Sequence, residues 1–93
     1  MIEHRLYVGN LDHGAGATHL RELMQVYGRV TDSVVLQSPG PPKKTFGFVS
    51  FADEEACTAA RALSGTDDPV YHRRLIVRPA TARQTAVALH STS

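Results

Sequence analysis

The sequence predicts one α+β domain in which four antiparallel strands carry two helices on a single face. Two observations predict it: strand-like and helix-like patterns follow one another in a fixed order, and each helix has one apolar stripe. A chain of 93 residues suits one domain. Its hydrophobic fraction of 42% is typical of a globular protein rather than a disordered one.

The first half of the chain predicts a strand, a helix and a second strand. Residues 6–11 alternate like a strand, and a glycine-rich loop follows. Thr18 is a suitable N-cap, and Gly28 stands where a left-handed residue would end the helix. The apolar stripe of this helix is Leu20, Leu23, Met24 and Tyr27. Val30 and residues 34–37 predict the second strand.

The second half predicts a strand, a helix and a final strand. A proline-rich loop at 38–42 leads to a strand at 45–51. Asp53 is the next predicted N-cap, and Gly65 ends that helix. Its apolar stripe is Ala56, Ala59, Ala60 and Leu63. Residues 75–78 predict the fourth strand, which Pro79 should stop.

The resulting order, β-α-β-β-α-β, is the ferredoxin-like arrangement. Right-handed crossovers place both helices on the same face of its sheet. We expect residues 1–80 to form this domain and residues 81–93 to form a flexible or weakly helical tail. Met1 favours a whole gene product over a domain of a larger protein.

Three aromatic rings are predicted on the face without helices. Side chains alternate along a strand, and a glycine lets a helix approach, so the third strand should bury Gly47, Val49 and Phe51. The opposite face then carries Tyr7, Phe46 and Phe48. A helix at 82–89 folding back over these rings is the alternative, but we expect them to be exposed. Exposed flat rings are suited to stacking nucleobases.

Two segments resemble the signature motifs of the RNA recognition motif (RRM) family. Residues 6–11, LYVGNL, resemble its hexapeptide, and residues 44–51, KTFGFVSF, resemble its octapeptide. Thr45 departs from the second motif, where the family usually has glycine. The resemblance covers about residues 5–80. It implies single-stranded RNA as the partner, with single-stranded DNA as an alternative ligand, and a role in post-transcriptional regulation or RNA chaperoning.

The resemblance also implies individual roles. Tyr7 and Phe48 would each stack on a base, Phe46 would pack against the sugars, and Lys44 would pair with a phosphate. Asn10 would mainly fix the turn after the first strand.

Residues of the flanking strands should widen this platform. We expect Val35, Gln37, Ile76 and Arg78 to face outward, with Gln37 and Arg78 bonding to base edges. A basic rim would come from Lys43, Arg73, Arg74 and Arg83. Binding should then weaken as salt rises, with a log-log slope of about −0.7 per phosphate contacted.

Two other functions occur among domains with this order of elements. An RRM that grips a peptide on its helical face is the alternative, but such domains usually lose the stacking rings that this chain retains. An acylphosphatase shares the strand order, yet the loop at 12–17 lacks the arginine that its chemistry needs. We therefore expect no enzymatic activity.

Composition limits what else the chain can do. The formal net charge of +1 does not by itself identify a nucleic-acid partner. Cys57 is the only cysteine, and the five histidines lack helical metal-ligand spacing, so no metal or cofactor is predicted. No apolar run reaches the about 18 residues of a membrane span, and no signal core follows the N-terminus. We expect an intracellular protein, cytoplasmic or, in a eukaryote, alternatively nuclear. The sequence leaves the oligomeric state open and slightly favours a monomer.

Overall fold

The computed structural model describes residues 4–38 and 43–80, which form a four-stranded antiparallel sheet and two helices. The elements are β1 (Arg5–Leu11), α1 (Ala17–Met24), β2 (Val30–Ser38), β3 (Lys44–Phe51), α2 (Glu54–Ala60) and β4 (Ile76–Ala80). A 3-10 turn follows each helix, at Gln25–Tyr27 and Arg61–Leu63. The strand order β2-β3-β1-β4 confirms the predicted ferredoxin-like fold. No helix in the described residues is long and apolar enough to cross a membrane.

The core lies between the helices and one face of the sheet. Leu6 and Val8 of β1 are fully buried there, together with Val49 of β3. Gly47 permits close approach by α1, as predicted, because a Cβ atom at this position would lie 2.7 Å from Leu20 Cδ2. The central strands therefore direct the predicted set of apolar side chains toward the helices.

The second helix packs closely against the turn that follows α1. A Cβ atom on Gly28 would lie only 2.4 Å from the Cβ of Ala56. Gly28 ends the 3-10 turn with φ 157° and ψ −173°, which is outside the left-handed helical region but is a positive φ that favours glycine. Its close packing against Ala56 is a second reason for glycine at this position. Ala56 and Ala60 are buried as predicted, but Ala59 is exposed because it lies outside the narrow contact stripe of this short helix.

The start of α1 and the end of β4 differ from the prediction, whereas the start of α2 agrees with it. α1 begins one residue before Thr18, and its N-cap residue is Gly16, which has no side chain to bond. Asp53 is the N-cap residue of α2, although its side chain makes no capping hydrogen bond. β4 continues through Pro79 to Ala80, since an edge strand tolerates a proline on its unpaired side. The predicted tail at 81–93 and most of the loop at 38–42 lie outside the described residues.

Candidate nucleic-acid interface

Three aromatic rings meet on the face of the sheet opposite the core. Tyr7 on β1 pairs directly with Phe48 on β3, and their ring centroids are 5.7 Å apart. Phe46 lies 5.9 Å from Tyr7 and 6.1 Å from Phe48. The rings are tilted or edge-on to each other, an arrangement that aromatic pairs prefer. We call these three residues the ring cluster, and its members are brought together as the sequence predicted.

The members of the ring cluster differ in exposure. Tyr7 and Phe46 are half-buried, whereas Phe48 is only 4% exposed, so the prediction that Phe48 stands bare to solvent is wrong. This residue sits on a central strand between its paired neighbours Tyr7 and Val34, and each of the other two rings forms a T-shaped pair with it. Strand alternation predicted the correct face for Phe48. It could not predict how far the side chains on the neighbouring strands reduce the exposure of this ring. The proposed tail cover at 82–89 lies outside the described residues.

Gly9 determines where the Tyr7 ring can lie. A Cβ atom at Gly9 would be 2.9 Å from both Cε1 and Oη of Tyr7. The tyrosine ring therefore leans along β1 over the glycine, toward the end of the strand. A larger residue at position 9 would compete with the ring for this space.

A bulge in β2 reverses the predicted faces of that strand. The register with β3 shifts between Val30 and Asp32, so side chains beyond it lie on the opposite face from simple alternation. Val35 pairs with Gly47 and packs against the core, and Gln37 is likewise on the core-side face. Their predicted place on the platform is therefore wrong. The β2 side chains that share the face of the ring cluster are Val34 and Leu36.

Gln37 has a different role from the one predicted. Its side-chain amide donates to the backbone oxygen of His13 at 3.3 Å, which ties β2 to the loop after β1. No pattern in the sequence announced the bulge, since Thr31 and Asp32 are polar and suit either face. Val34 and Leu36 were missed for this reason.

Strand β4 contributes the two residues predicted for it. Arg78 pairs with Tyr7, and Ile76 pairs with Gly9, so both lie on the face of the ring cluster. Both are exposed, Ile76 to 39%. A recess of about 250 Å³ is lined by Tyr7, Phe48, Arg78 and Pro79. Arg78 is therefore beside the ring cluster, within reach of a base seated in this recess.

A larger cleft opens at the end of the sheet where β1 finishes and β3 begins. Its volume is about 550 Å³, within the range of small-ligand pockets. Tyr7, Phe46 and Ile76 supply apolar lining, and Lys43 and Lys44 line it as exposed cations. We call this space the end cleft. Its lining combines rings and ammonium groups, the two side-chain types that contact nucleic-acid bases and phosphates.

Thr45, the departure from the family motif, forms part of the end cleft. It is 2% exposed, and its hydroxyl shares a hydrogen bond of 2.9 Å with Nδ1 of His13. Both residues line the cleft. Sequence reasoning did not select His13, because a single histidine in a polar loop carries no distinguishing pattern. The threonine thus anchors the loop after β1 at the cleft wall.

The structure separates the two adjacent arginines of the predicted basic rim. Arg73 lines the end cleft, whereas the Arg74 side chain is 4.0 Å from Asp67 and is not among the cleft residues. Arg83, the remaining predicted rim residue, lies outside the described residues.

A buried carboxylate holds the segment that carries these arginines. Asp68 is 1% exposed, and its Oδ1 accepts hydrogen bonds from the amides of Val70 and Tyr71. Its Oδ2 lies 2.7 Å from Nε2 of His19 on α1. Burial of this carboxyl favours its neutral form, but the hydrogen bonds from His19 and the two amides outweigh that effect and lower its pKa. These bonds fix the segment before β4, residues 68–75, to α1. Arg73 lies in this segment and is positioned by it.

No group of three or more potential metal ligands occurs within residues 4–38 and 43–80. Cys57 is a half-buried free thiol on α2, and burial raises its pKa.

Known proteins resemble this chain in both sequence and fold. The sequence profile of the RNA recognition motif family matches residues 6–69. Glycine-rich RNA-binding protein 2, mitochondrial, of Arabidopsis thaliana is 34% identical over 88 residues, which cover 92% of this chain and 54% of that protein. Polyadenylate-binding protein 2 of the same plant is 44% identical over 61 residues, covering 64% of this chain but 10% of that protein.

Solved structures show the same architecture. RNA Binding Protein PG1 matches with a TM-score of 0.70 and 34% identity, over 85% of this chain and 95% of that one. The Rna15 RRM with bound RNA (GU) matches with a TM-score of 0.73 over 96% of this chain and 99% of that one. Its identity is 17%, so this second likeness concerns the fold alone.

Proposed function

Because this chain belongs to the RNA recognition motif family, we propose that it binds single-stranded RNA across the ring cluster. The observation that carries the proposal is the meeting of three rings, with centroids within about 6 Å of each other, on the sheet face opposite α1 and α2. Half-buried Tyr7 and Phe46 offer partly accessible ring surface, on which bases and sugars can pack. Similar proteins that are named as RNA-binding proteins support the same conclusion.

The charged neighbours of the ring cluster support a nucleic-acid ligand. Lys44 is exposed at the start of β3, beside Phe46 in the lining of the end cleft. Arg78 is exposed across from Tyr7 on β4. We propose that Lys44 contacts a phosphate and that Arg78 donates to a base edge or a phosphate. The role of the domain is then to hold RNA, in post-transcriptional regulation or RNA chaperoning, rather than to transform it.

The ring cluster itself is tested by single substitutions. Binding of a fluorescently labelled, random-sequence RNA pool should be compared between the wild type and the Tyr7→Ala and Phe46→Ala variants. Loss of one stacked base corresponds to about 1–3 kcal/mol, or about 5-fold to 150-fold in Kd. Phe48 is unsuitable as the first substitution because it is buried, so its loss would also affect folding.

A matched control removes an exposed apolar side chain elsewhere. Val26 is 78% exposed on the turn after α1 and lines neither the recess nor the end cleft. Val26→Ala should bind RNA as the wild type does. Equal binding by folded Tyr7→Ala and Phe46→Ala variants would overturn the proposal. A single-stranded DNA pool of the same length, titrated in parallel, measures how far the 2′-hydroxyl contributes.

A further inference from the structure

Among the described residues that line the end cleft, the cationic side chain of Arg73 is held in place by a hydrogen bond to another side chain. Nη2 of Arg73 donates to Oδ1 of Asn10 at 2.9 Å. The same Asn10 amide donates through Nδ2 to the backbone oxygen of Arg74 at 2.6 Å. Both ends of one amide thus bind consecutive residues of the segment before β4. A guanidinium has five N–H donors, so Arg73 can keep this bond and still bind an anion.

The backbone of β1 is shaped to make these two bonds. The pairing of β1 with β3 is irregular between Val8 and Leu11, and Asn10 has φ 61°. Asparagine tolerates this left-handed conformation better than most residues do. At this irregular position the Asn10 side chain is directed toward Arg73 and Arg74, to which it is hydrogen-bonded.

The charge around the end cleft favours an anion. Three of its lining residues are cationic, namely Lys43, Lys44 and Arg73, and none of the described lining residues is a carboxylate. The two acidic residues nearest to Arg73 in sequence are engaged elsewhere, since Asp67 lies beside the Arg74 side chain and Asp68 is buried against His19. The rings of Tyr7 and Phe46 border the same space, so an RNA strand lying on the ring cluster passes its entrance.

We propose that the end cleft holds a second RNA phosphate, contacted by Arg73, with Asn10 as the positioning residue that keeps Arg73 there. This inference rests on the proposed function, since it concerns the same bound strand. It adds a contact that the motif resemblance does not assign. It also distinguishes two neighbouring arginines that have the same charge.

The salt dependence of binding tests the phosphate contact directly. Affinity for a labelled random-sequence RNA pool should be measured at several KCl concentrations for the wild type, Arg73→Ala and Arg74→Ala. Both substitutions remove one positive charge at adjacent positions, so their effects on the general electrostatic field should match. Arg73→Ala should flatten the slope of log affinity against log salt by about 0.7, the value for one single-strand phosphate. Arg74→Ala should leave that slope close to the wild-type value.

A second measurement tests the positioning role of Asn10. Asn10→Gly removes the amide while keeping the positive φ accessible, and thermal denaturation reports whether the domain stays folded. This variant should flatten the salt slope in the wild-type background, because Arg73 loses its anchor. In the Arg73→Ala background it should cause no further flattening. A purely structural role would instead give the same change in both backgrounds and would overturn the positioning claim.

The outcomes distinguish this inference from the proposed function. Failure of the folded wild type to bind the RNA pool would overturn both. Binding by the wild type with equal salt slopes for Arg73→Ala and Arg74→Ala would overturn the second phosphate site alone.

Discussion

Replacing Gly9 with alanine should weaken RNA binding while leaving the domain folded. The new Cβ would lie 2.9 Å from Cε1 and Oη of Tyr7, closer than such atoms can remain. These contacts are with the far end of a side chain, so the ring can turn away without movement of the sheet. Alanine in a strand is also favoured over glycine by about 0.5–1 kcal/mol. The free energy of unfolding should therefore change by less than about 1 kcal/mol.

The effect on binding has an upper limit set by the Tyr7 ring. Stacking of one base is worth about 1–3 kcal/mol, which corresponds to about 5-fold to 150-fold in Kd. A displaced ring retains part of its contacts, so Gly9→Ala should weaken binding by no more than Tyr7→Ala does. In the Tyr7→Ala background, Gly9→Ala should have no further effect, because the two substitutions act on the same ring.

Fluorescence anisotropy with a labelled random-sequence RNA pool measures the binding, and urea denaturation measures stability. Gly16→Ala is the matched control, since a Cβ at Gly16 would have no atom within 4 Å. It should bind RNA as the wild type does. Wild-type affinity in Gly9→Ala, or a full additional loss in the Tyr7→Ala background, would refute the argument that Gly9 sets the ring position.

Three further predictions concern stability. Gly28→Ala should lower the free energy of unfolding by about 1–3 kcal/mol by overpacking against Ala56, and an unchanged Tm would contradict this. Phe48→Ala should cost about 3–5 kcal/mol in urea denaturation because the ring is buried, and a loss under about 1 kcal/mol would contradict that burial. The pKa of Asp68 is lowered, so its stabilising effect should be complete above the ordinary value of about 3.9 and lost as pH falls further. Asp68→Asn should therefore show less acid destabilisation than the wild type below pH 4, and parallel curves would exclude this carboxyl as the cause.

The salt bridges that the structure records at the surface should contribute little to stability. Arg5 and Asp32 approach to 4.0 Å, as do Arg74 and Asp67, with one or both side chains exposed. Exposed pairs of this kind are typically worth under about 1 kcal/mol. Stability therefore depends mainly on the core and on the buried bonds of Asp68, which ties the segment before β4 to α1.

Patterns within short stretches of sequence predicted most of the fold, because the form of a strand or helix depends largely on residues that are close together in the chain. Alternation placed Leu6 and Val8 in the core and Tyr7 on the other face, and Gly47 predicted the close approach of a helix. The order of elements then fixed the topology, since right-handed crossovers allow few other arrangements.

Other features depended on contacts between distant parts of the chain. The bulge in β2 is a property of its pairing with β3, and it moved Val35 and Gln37 to the opposite face from the one predicted. The surroundings of Phe48 include the ring of Tyr7, which is distant in sequence, and the ring of Phe46, which lies two residues away on the same strand. The pair formed by Asn10 and Arg73 joins residues separated by 63 positions.

The sequence by itself determined the fold class, the family and the presence of three rings on one face, because periodicity and motif spacing are local quantities. Only the tertiary structure decided which β2 residues join that face, how far each ring is exposed, and which arginine enters the end cleft. Those features depend on strand register and long-range hydrogen bonds, in which a shift of one residue reverses a side chain's direction.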